Sequence, residues 1–197
     1  NCSGRLAEAA DEIDFALKRE QDASRLVDLA AEGKIPMRVT HNDTKINNLL
    51  FDSITNEAFC VIDLDTIMPG LSLYDFGDSI RSGAVSSDEN EKDLKKYGLD
   101  PELFKSYTEG FLSEAGKALN ETEAANLAFS AKLMALECGV RFLTDYLDGD
   151  TYFRTEYPEH NLVRCKTQFK LVEDIEKQMD ELNSCVDELY RRSLIEE

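Results

Sequence analysis

Two groups of polar residues flank one short apolar segment, and their types and spacing could do chemistry. The first group is His41-Asn42-Asp43-Thr44-Lys45-Ile46-Asn47-Asn48, and the second is Asp63-Leu64-Asp65, directly after the apolar segment. Phosphoryl transfer from ATP needs few protein groups. It needs a carboxylate that orients and deprotonates the attacking hydroxyl, oxygen ligands for Mg²⁺, and positive charge near the transferred phosphoryl group.

The residues in these groups match those requirements one by one. Asp43 can act as the base, and Lys45 can supply positive charge. Asn48 and Asp63 offer the hard oxygen atoms that Mg²⁺ prefers. An Asp on a loop and an Asn five residues later, at the start of a strand, can face the same cavity. An Asp at the end of the returning strand then closes the site from the other side.

Short extended segments are expected to hold these residues. Residues 38–40 and 48–51 have strand character, residues 52–56 supply turn chemistry, and residues 58–62 have the pattern of a buried strand. The sequence therefore predicts a small hairpin with polar residues at both ends.

The remaining sequence favours helices. Residues 6–31 are rich in helix formers, with a break at residues 21–24 that indicates two helices. A helix start is predicted at Asp100-Pro101, and a capping box at residues 120–123 predicts a long helix to about Tyr146. A final helix is expected from about Asn161 to Arg192. One buried face is predicted for the first helix, formed by Leu6, Ala9, Ala10, Ile13 and Leu17. The predicted fold class is mainly α (α+β), with a small β-element.

Composition excludes several classes of protein. The 197 residues are 42% hydrophobic, enough for one domain with a sizeable core. The formal net charge of −18 argues against nucleic-acid binding, since such a surface repels phosphate backbones. No apolar run approaches the ~20 residues of a membrane span. Five widely spaced cysteines form no zinc motif and fit reduced thiols, which indicates a cytoplasmic protein.

The motifs resemble those of a known superfamily. HNDTKINN is similar to the HxDxxxxN catalytic loop of aminoglycoside phosphotransferases and choline kinases, and VIDLD to their metal-binding segment. YDFGDS is similar to the start of the helix that follows. The resemblance implies the C-terminal lobe of a protein-kinase-like fold, with ATP as phosphoryl donor and Mg²⁺ as cofactor. It also implies that Asp75 and His41 support the catalytic loop, whereas Asp63 is the metal aspartate.

A narrower resemblance covers roughly residues 35–165. The segments THNDTKINNLLFD, VIDLDTIMPGLSLYDFGDSIR and GVRFLTDYLDGDTYFR are similar to bacterial N-acetylhexosamine 1-kinases. This implies that Asp43 acts on the anomeric hydroxyl of the sugar, while Asp65, Arg141 and Tyr152 hold it. It also implies that residues 1–197 form the C-terminal lobe, since no Gly-rich loop or Lys–Glu pair precedes His41. The ATP-covering N-terminal lobe would belong to the rest of a parent protein, without which the chain would be inactive.

Other interpretations stay open. His41 can be a structural hydrogen-bonding residue rather than a proton-transfer group. Asp65 can contact the sugar, bind the metal or cap a turn, and Arg141 can pair with Glu137 one helical turn away. The acceptor can be another small alcohol, such as an aminoglycoside, choline or homoserine. A pseudokinase that only binds ligands is the alternative from a different class, and the intact Asp43, Asn48 and Asp63 argue against it.

Overall fold

A computed structural model describes residues 3–195 as a mainly helical protein with two small antiparallel β-ladders. The helices are α1 (Ala10–Leu17), α2 (Arg25–Ala31), α3 (Ser72–Gly83), α4 (Pro101–Ala115), α5 (Glu121–Ala124), α6 (Leu127–Asp148) and α7 (His160–Ser193). The strands are β1 (Arg38–Thr40), β2 (Leu49–Phe51), β3 (Ala58–Val61) and β4 (Met68–Gly70). The predicted fold class, mainly α with a small β-element, is confirmed.

The first two helices are separate, as predicted, with a 3-10 turn (Glu20–Asp22) between them. Their predicted buried face is only partly correct. Ala9 is buried and Ile13 packs against the core, but the exposed fractions of Leu6 and Leu17 are 51% and 65%. Ala10 is exposed as well. Because α1 begins only at Ala10, Leu6 lies on a separate 3-10 turn and cannot share a face with the helix.

The strands β1, β2 and β3 lie where the sequence predicts them, but the burial predicted for β3 is wrong. β2 pairs with β3, and the Oδ1 atom of Asp52 caps the turn by accepting hydrogen bonds from two backbone N–H groups. All four residues of β3 are exposed, and Phe59 is 67% exposed. No described element covers this apolar hairpin. β4 pairs with β1 and was not predicted, since three residues with a central Pro give no strand pattern.

The helices after residue 100 begin at the predicted caps, with one exception. The Asp100 carboxylate caps α4, and Asn120 and Glu123 form the predicted capping box. The single long helix predicted after that box is wrong, because α5 ends at Ala124 and α6 begins at Leu127. Between them Asn126 has a φ of −112° and a ψ of 6°, outside helical geometry. The predicted final helix is confirmed as α7.

The core lies where α3, α6 and α7 pack together. Its buried apolar side chains include Leu73, Phe76, Ile80, Leu136, Phe142, Phe169, Val172 and Ile175. Two glycines allow these helices to approach closely. A Cβ atom on Gly77 of α3 would lie 2.4 Å from the carbonyl oxygen of Ser130 in α6, and one on Gly139 would lie 2.6 Å from the Phe169 ring. This packing fixes α3, the helix that follows the two polar groups.

An ion pair with one fully buried member joins β1 to the helices. Glu123 in α5 is 1% exposed, and its two carboxylate oxygens accept hydrogen bonds from Arg38 Nε and Nη2, each at 2.7 Å. Ser72 Oγ at the start of α3 and the backbone N–H of Asn120 donate to the same carboxylate at 3.0 and 2.9 Å. These contacts anchor β1, the strand that leads into the first polar group.

Two findings concern the described residues as a set. Among residues 3–195, no helix is long and apolar enough to cross a membrane. The four cysteines in this range are free thiols, with Cys138 and Cys165 buried and Cys60 exposed. The fifth, Cys2, lies outside the described residues.

Candidate active site

Asp43 lies on the loop between β1 and β2, and two side chains contact one of its oxygens. Lys45 Nζ lies 2.9 Å from Asp43 Oδ2, and Asn48 Nδ2 donates to the same oxygen at 2.9 Å. Asn48 Nδ2 also donates to the backbone carbonyl of Asp43 at 2.8 Å. The Asp43 side chain is 26% exposed, so it is reachable from solvent although largely enclosed. The structure therefore brings three of the four predicted catalytic and metal-binding residues into direct contact.

These contacts determine the charge of the Asp43 carboxylate. Burial raises the pKa of Asp43, but the hydrogen bonds from Lys45 and Asn48 and the Lys45 charge lower it by more. The net effect is a pKa below the ordinary value of 3.8. The carboxylate is therefore ionised at neutral pH, as a base must be before it accepts a proton.

Asp75, at the start of α3, binds the backbone of the same loop. Its two oxygens accept hydrogen bonds from the N–H groups of His41 and Asn42, each at 2.8 Å. Its carbonyl oxygen accepts another from Thr44 Oγ1 at 2.6 Å. Asp75 thus makes the contacts that the predicted supporting role requires. It makes no contact with the second polar group.

The His41 ring connects the two polar groups. Its Nδ1 atom accepts a hydrogen bond from the backbone N–H of Asp43 at 3.3 Å, so Nε2 carries the proton and donates to the carbonyl of Ile62 at 3.1 Å. The backbone N–H of Ile62 in turn donates to the Asn48 carbonyl at 2.9 Å. Both ring nitrogens are occupied by backbone groups, which supports the structural interpretation of His41.

Sequence reasoning missed a second set of contacts that hold this loop. Asn42 has a φ of 64°, and its Nδ2 atom donates to the carbonyl of Thr66 at 3.0 Å. Thr66 Oγ1 donates to the carbonyl of His41 at 2.6 Å. A Cβ on Gly70 would lie 2.3 Å from Thr40 Oγ1, so only glycine permits this approach. An Asn before the predicted base was the one available signal, because Asn tolerates left-handed backbone.

Asp63 follows β3 with its carboxylate free. Its φ of 63° is unusual for a non-glycine residue, and such strained backbone clusters at functional sites. Among the described residues, its carboxylate has no hydrogen-bond or ion-pair partner, and the Oδ1 atom of Asn48 accepts no hydrogen bond. The structure does not bring the Asp63 side chain into contact with Asp43 or Asn48. The link between the two segments is Ile62, which precedes Asp63 and whose backbone N–H donates to the carbonyl of Asn48.

Asn48 and Asp63 could hold a magnesium ion whose remaining ligands come from a nucleotide and from water. Asn48 and Asp63 keep hard oxygen atoms free, which Mg²⁺ prefers. No group of three or more His, Cys, Asp and Glu side chains within residues 3–195 could hold a metal by itself. Mg²⁺ is usually held by one or two protein oxygens together with substrate phosphates and water, so an all-protein cage is not required.

An open cavity of about 740 Å³ lies beside the loop, between α1, α3 and α6. Its polar lining includes Asn42, Tyr74, Asp78, Glu137 and Arg141. Its apolar lining includes Leu17, Leu133, Met134, Leu136 and Val140. The cavity therefore combines an apolar floor with a few polar groups, as small-molecule sites commonly do.

The three residues predicted to hold the sugar are not all together. Arg141 lines the cavity and also forms the alternative contact with Glu137, at 3.7 Å. Tyr152 is 73% exposed, and the Arg141 guanidinium lies 5.9 Å from its ring centroid. Asp65 is exposed and, within the described range, has no hydrogen-bond partner. Arg141 and Tyr152 therefore lie near each other, whereas Asp65 lies in the second polar group, after β3.

A helical lobe with an Asp and an Asn on one loop, and an Asp after the returning strand, is the arrangement that the sequence predicted for a kinase-type phosphotransferase. Comparison with protein families agrees. The model of the phosphotransferase enzyme family (APH) matches residues 3–107, which is more than half of the chain. The chain belongs to this family, and its α+β architecture is that of the C-terminal lobe of a kinase-like fold. The match includes Asp43, Asn48, Asp63 and Asp75, but Arg141 and Tyr152 lie beyond it.

Proposed function

We propose that the protein transfers the γ-phosphoryl group of ATP to the anomeric C1 hydroxyl of an N-acetylhexosamine, with Asp43 as the base. Membership of the family gives phosphoryl transfer to a small substrate. The observation that carries the proposal is the environment of Asp43, whose Oδ2 atom contacts Lys45 Nζ and accepts a hydrogen bond from Asn48 Nδ2.

Asp43 orients the acceptor hydroxyl and takes its proton as the hydroxyl oxygen attacks the γ-phosphorus. The new oxygen–phosphorus bond forms as the bond to the β,γ-bridging oxygen breaks, and ADP leaves with that electron pair. Lys45 keeps a positive charge 2.9 Å from the carboxylate, close to the charge that develops on the transferred group. Asn48 and Asp63 would hold Mg²⁺, which neutralises charge on the phosphates when bound.

The sugar assignment rests on the motifs and on the cavity. An Arg that lines an apolar cavity, with a Tyr ring centroid 5.9 Å from its guanidinium, suits a ligand with many hydroxyls and one apolar face. The apolar lining also suits the methyl group of an acetamide. Asp65, on the exposed segment after Asp63, is proposed as a further sugar contact.

An acceptor screen tests this proposal. The parent protein is incubated with Mg²⁺ and ATP, and ADP release is measured with N-acetylglucosamine, N-acetylgalactosamine, glucose, choline, homoserine and an aminoglycoside. We expect kcat/KM for an acetylated sugar to exceed that for glucose by at least about tenfold, since glucose leaves the acetamide contacts unmade. Turnover of amino alcohols alone would contradict the hexosamine assignment, and no turnover at all would support the pseudokinase alternative.

We also propose that residues 1–197 form the C-terminal lobe of a two-lobed kinase. The support is an exposed apolar surface on the two β-ladders and the segments joining them. It consists of Met37, Val39, Ile46, Leu50, Phe51, Ile54, Phe59, Val61, Ile62, Leu64, Ile67 and Met68, each at least 36% exposed. Exposed apolar side chains gathered on neighbouring segments support an interface with another part of the protein. An N-terminal lobe packed there would cover both the hairpin and the nucleotide.

The two-lobe proposal predicts that the isolated chain binds ATP weakly and has no kinase turnover, because half of the nucleotide pocket is missing. Isothermal titration with Mg²⁺ and ATP checks the binding, and coupled ADP detection checks the turnover. The parent protein with both lobes is the control and should be active. Substantial turnover by residues 1–197 alone would contradict the proposal.

A further inference from the structure

The loop after α6 is held by one buried carboxylate that no part of the proposed reaction uses. Asp145 is 5% exposed. Its Oδ1 atom accepts hydrogen bonds from the backbone N–H groups of Thr151 and Tyr152, each at 2.8 Å. Its Oδ2 atom accepts from the N–H of Phe153 at 2.9 Å and from Asn161 Nδ2 at 2.8 Å. One side chain therefore binds three consecutive N–H groups of the loop.

Contacts on the other side hold the start of the same loop. Gly149 and Asp150 both have positive φ, at 96° and 60°, so the chain turns sharply out of α6. The Asp150 carboxylate then pairs with Arg5 and accepts a hydrogen bond from Asn161 at 2.9 Å. Buried and half-buried groups therefore hold the first residues of this loop.

Two aromatic side chains of this loop lie near Arg141, which lines the cavity. The rings of Tyr152 and Phe153 meet edge to face at 4.8 Å, and Phe153 packs on Phe142 of α6 at 4.7 Å. The Arg141 guanidinium lies 5.5 Å from the Phe153 ring and 5.9 Å from the Tyr152 ring. Arg141 lines the cavity, whereas Tyr152 stays 73% exposed. An exposed ring on a firmly held backbone can contact a ligand at little cost in entropy.

We infer that Asp145 is the positioning residue for acceptor binding, acting through the backbone of residues 151–153 to hold Tyr152 beside Arg141, which lines the cavity. The inference rests on the proposed function and deepens it. The acceptor it implies has an apolar face for the Tyr152 ring and polar groups for Arg141, as a pyranose ring does. Asp145 itself is buried and does not touch the acceptor.

The test is the variant Asp145→Asn in the parent protein. An amide places N–H donors where the loop needs acceptors, so the three N–H contacts cannot all persist. We expect the acceptor KM to rise about tenfold, since small misplacements of a positioning group are costly. We expect kcat and the ATP KM to change less than about twofold, and amide hydrogen exchange at Thr151, Tyr152 and Phe153 to accelerate.

Asp148→Asn is the matched control, since Asp148 lies on the same helix but is exposed. It should leave every parameter unchanged. Tyr152→Ala should raise the acceptor KM as Asp145→Asn does, and the double variant should be no worse than Tyr152→Ala alone. Effects that multiply would show a general structural role for Asp145 and overturn the inference.

The outcomes separate this inference from the proposed function. A wild-type protein that phosphorylates no hydroxyl overturns both. Wild-type turnover with an unchanged acceptor KM in Asp145→Asn overturns the inference alone. Should Asp145→Asn fail to fold, Tyr152→Ala removes only an exposed ring, and an unchanged acceptor KM in that variant overturns the inference equally.

Discussion

Replacing Asp43 by Asn is expected to lower kcat by about 10²–10⁴-fold, because the amide cannot accept the proton of the attacking hydroxyl. The change keeps the shape of the side chain. Asn48 and Lys45 then lose a charged acceptor, but the backbone hydrogen bond from Asn48 to the Asp43 carbonyl persists. We therefore expect the KM values for ATP and acceptor to stay within about threefold of wild type. Steady-state kinetics of ADP release in the parent protein checks this.

The pKa of Asp43 adds a second readout to this experiment. Because the pKa lies below its ordinary value of 3.8, protonation of this carboxylate should not limit kcat/KM anywhere between pH 5 and 8. Asp187→Asn is a suitable control, since Asp187 pairs with Arg191 on the exposed face of α7 and should leave kcat unchanged. A kcat for Asp43→Asn within about threefold of wild type would remove Asp43 as the base.

The second large effect concerns stability. Glu123→Ala is expected to lower the free energy of unfolding by about 1.5–3 kcal/mol, because it removes a buried carboxylate that accepts charge-assisted hydrogen bonds from Arg38. It also removes the acceptor for Ser72 Oγ and the Asn120 N–H. Urea denaturation of the isolated chain, followed by circular dichroism, measures the change. Glu121→Ala on the exposed face of α5 is the matched control and should change stability by less than about 0.5 kcal/mol.

The pH dependence of this effect has a definite sign. Burial raises the pKa of Glu123, but the hydrogen bonds from Arg38, Asn120 and Ser72 lower it by more. The pKa of Glu123 therefore lies below its ordinary value of 4.5. The contribution of Glu123 is therefore complete above pH 4.5 and is lost as the pH falls through the folded pKa. The difference between wild type and Glu123→Ala should narrow on acidification. A difference in unfolding free energy below about 1 kcal/mol at pH 7 between wild type and Glu123→Ala would contradict the anchoring role of the Arg38–Glu123 pair.

The sequence predicted those elements whose signals are local. The caps at Asp100 and Asn120 each depend on one side chain, so their positions are correct. The break at Asn126 could not be predicted, since it interrupts a sequence that otherwise favours helix. β4 could not be predicted either, because its pairing partner β1 lies about thirty residues away and its own residues carry no pattern.

The same distinction holds for the candidate site. Asp43, Lys45 and Asn48 lie within six residues, and their contacts follow from the loop alone. The position of Asp75 was implied by resemblance, and its three hydrogen bonds to the loop depend on where packing against α6 places α3. Thr66 has no sequence signal, because its role comes from the approach of two loops. The exposure of β3 was mispredicted, since an apolar strand indicates burial without indicating what buries it.

Asp43 is proposed to direct the γ-phosphoryl group of ATP onto a sugar hydroxyl. The most direct measurement is ³¹P NMR of the parent protein with Mg²⁺, ATP and N-acetylglucosamine or N-acetylgalactosamine, with Asp43→Asn in parallel. The account predicts that ADP and a sugar 1-phosphate accumulate in equal amounts with wild type, and that both are nearly absent with Asp43→Asn. Accumulation of ADP and inorganic phosphate without a sugar phosphate, or equal sugar phosphate in both proteins, would contradict it.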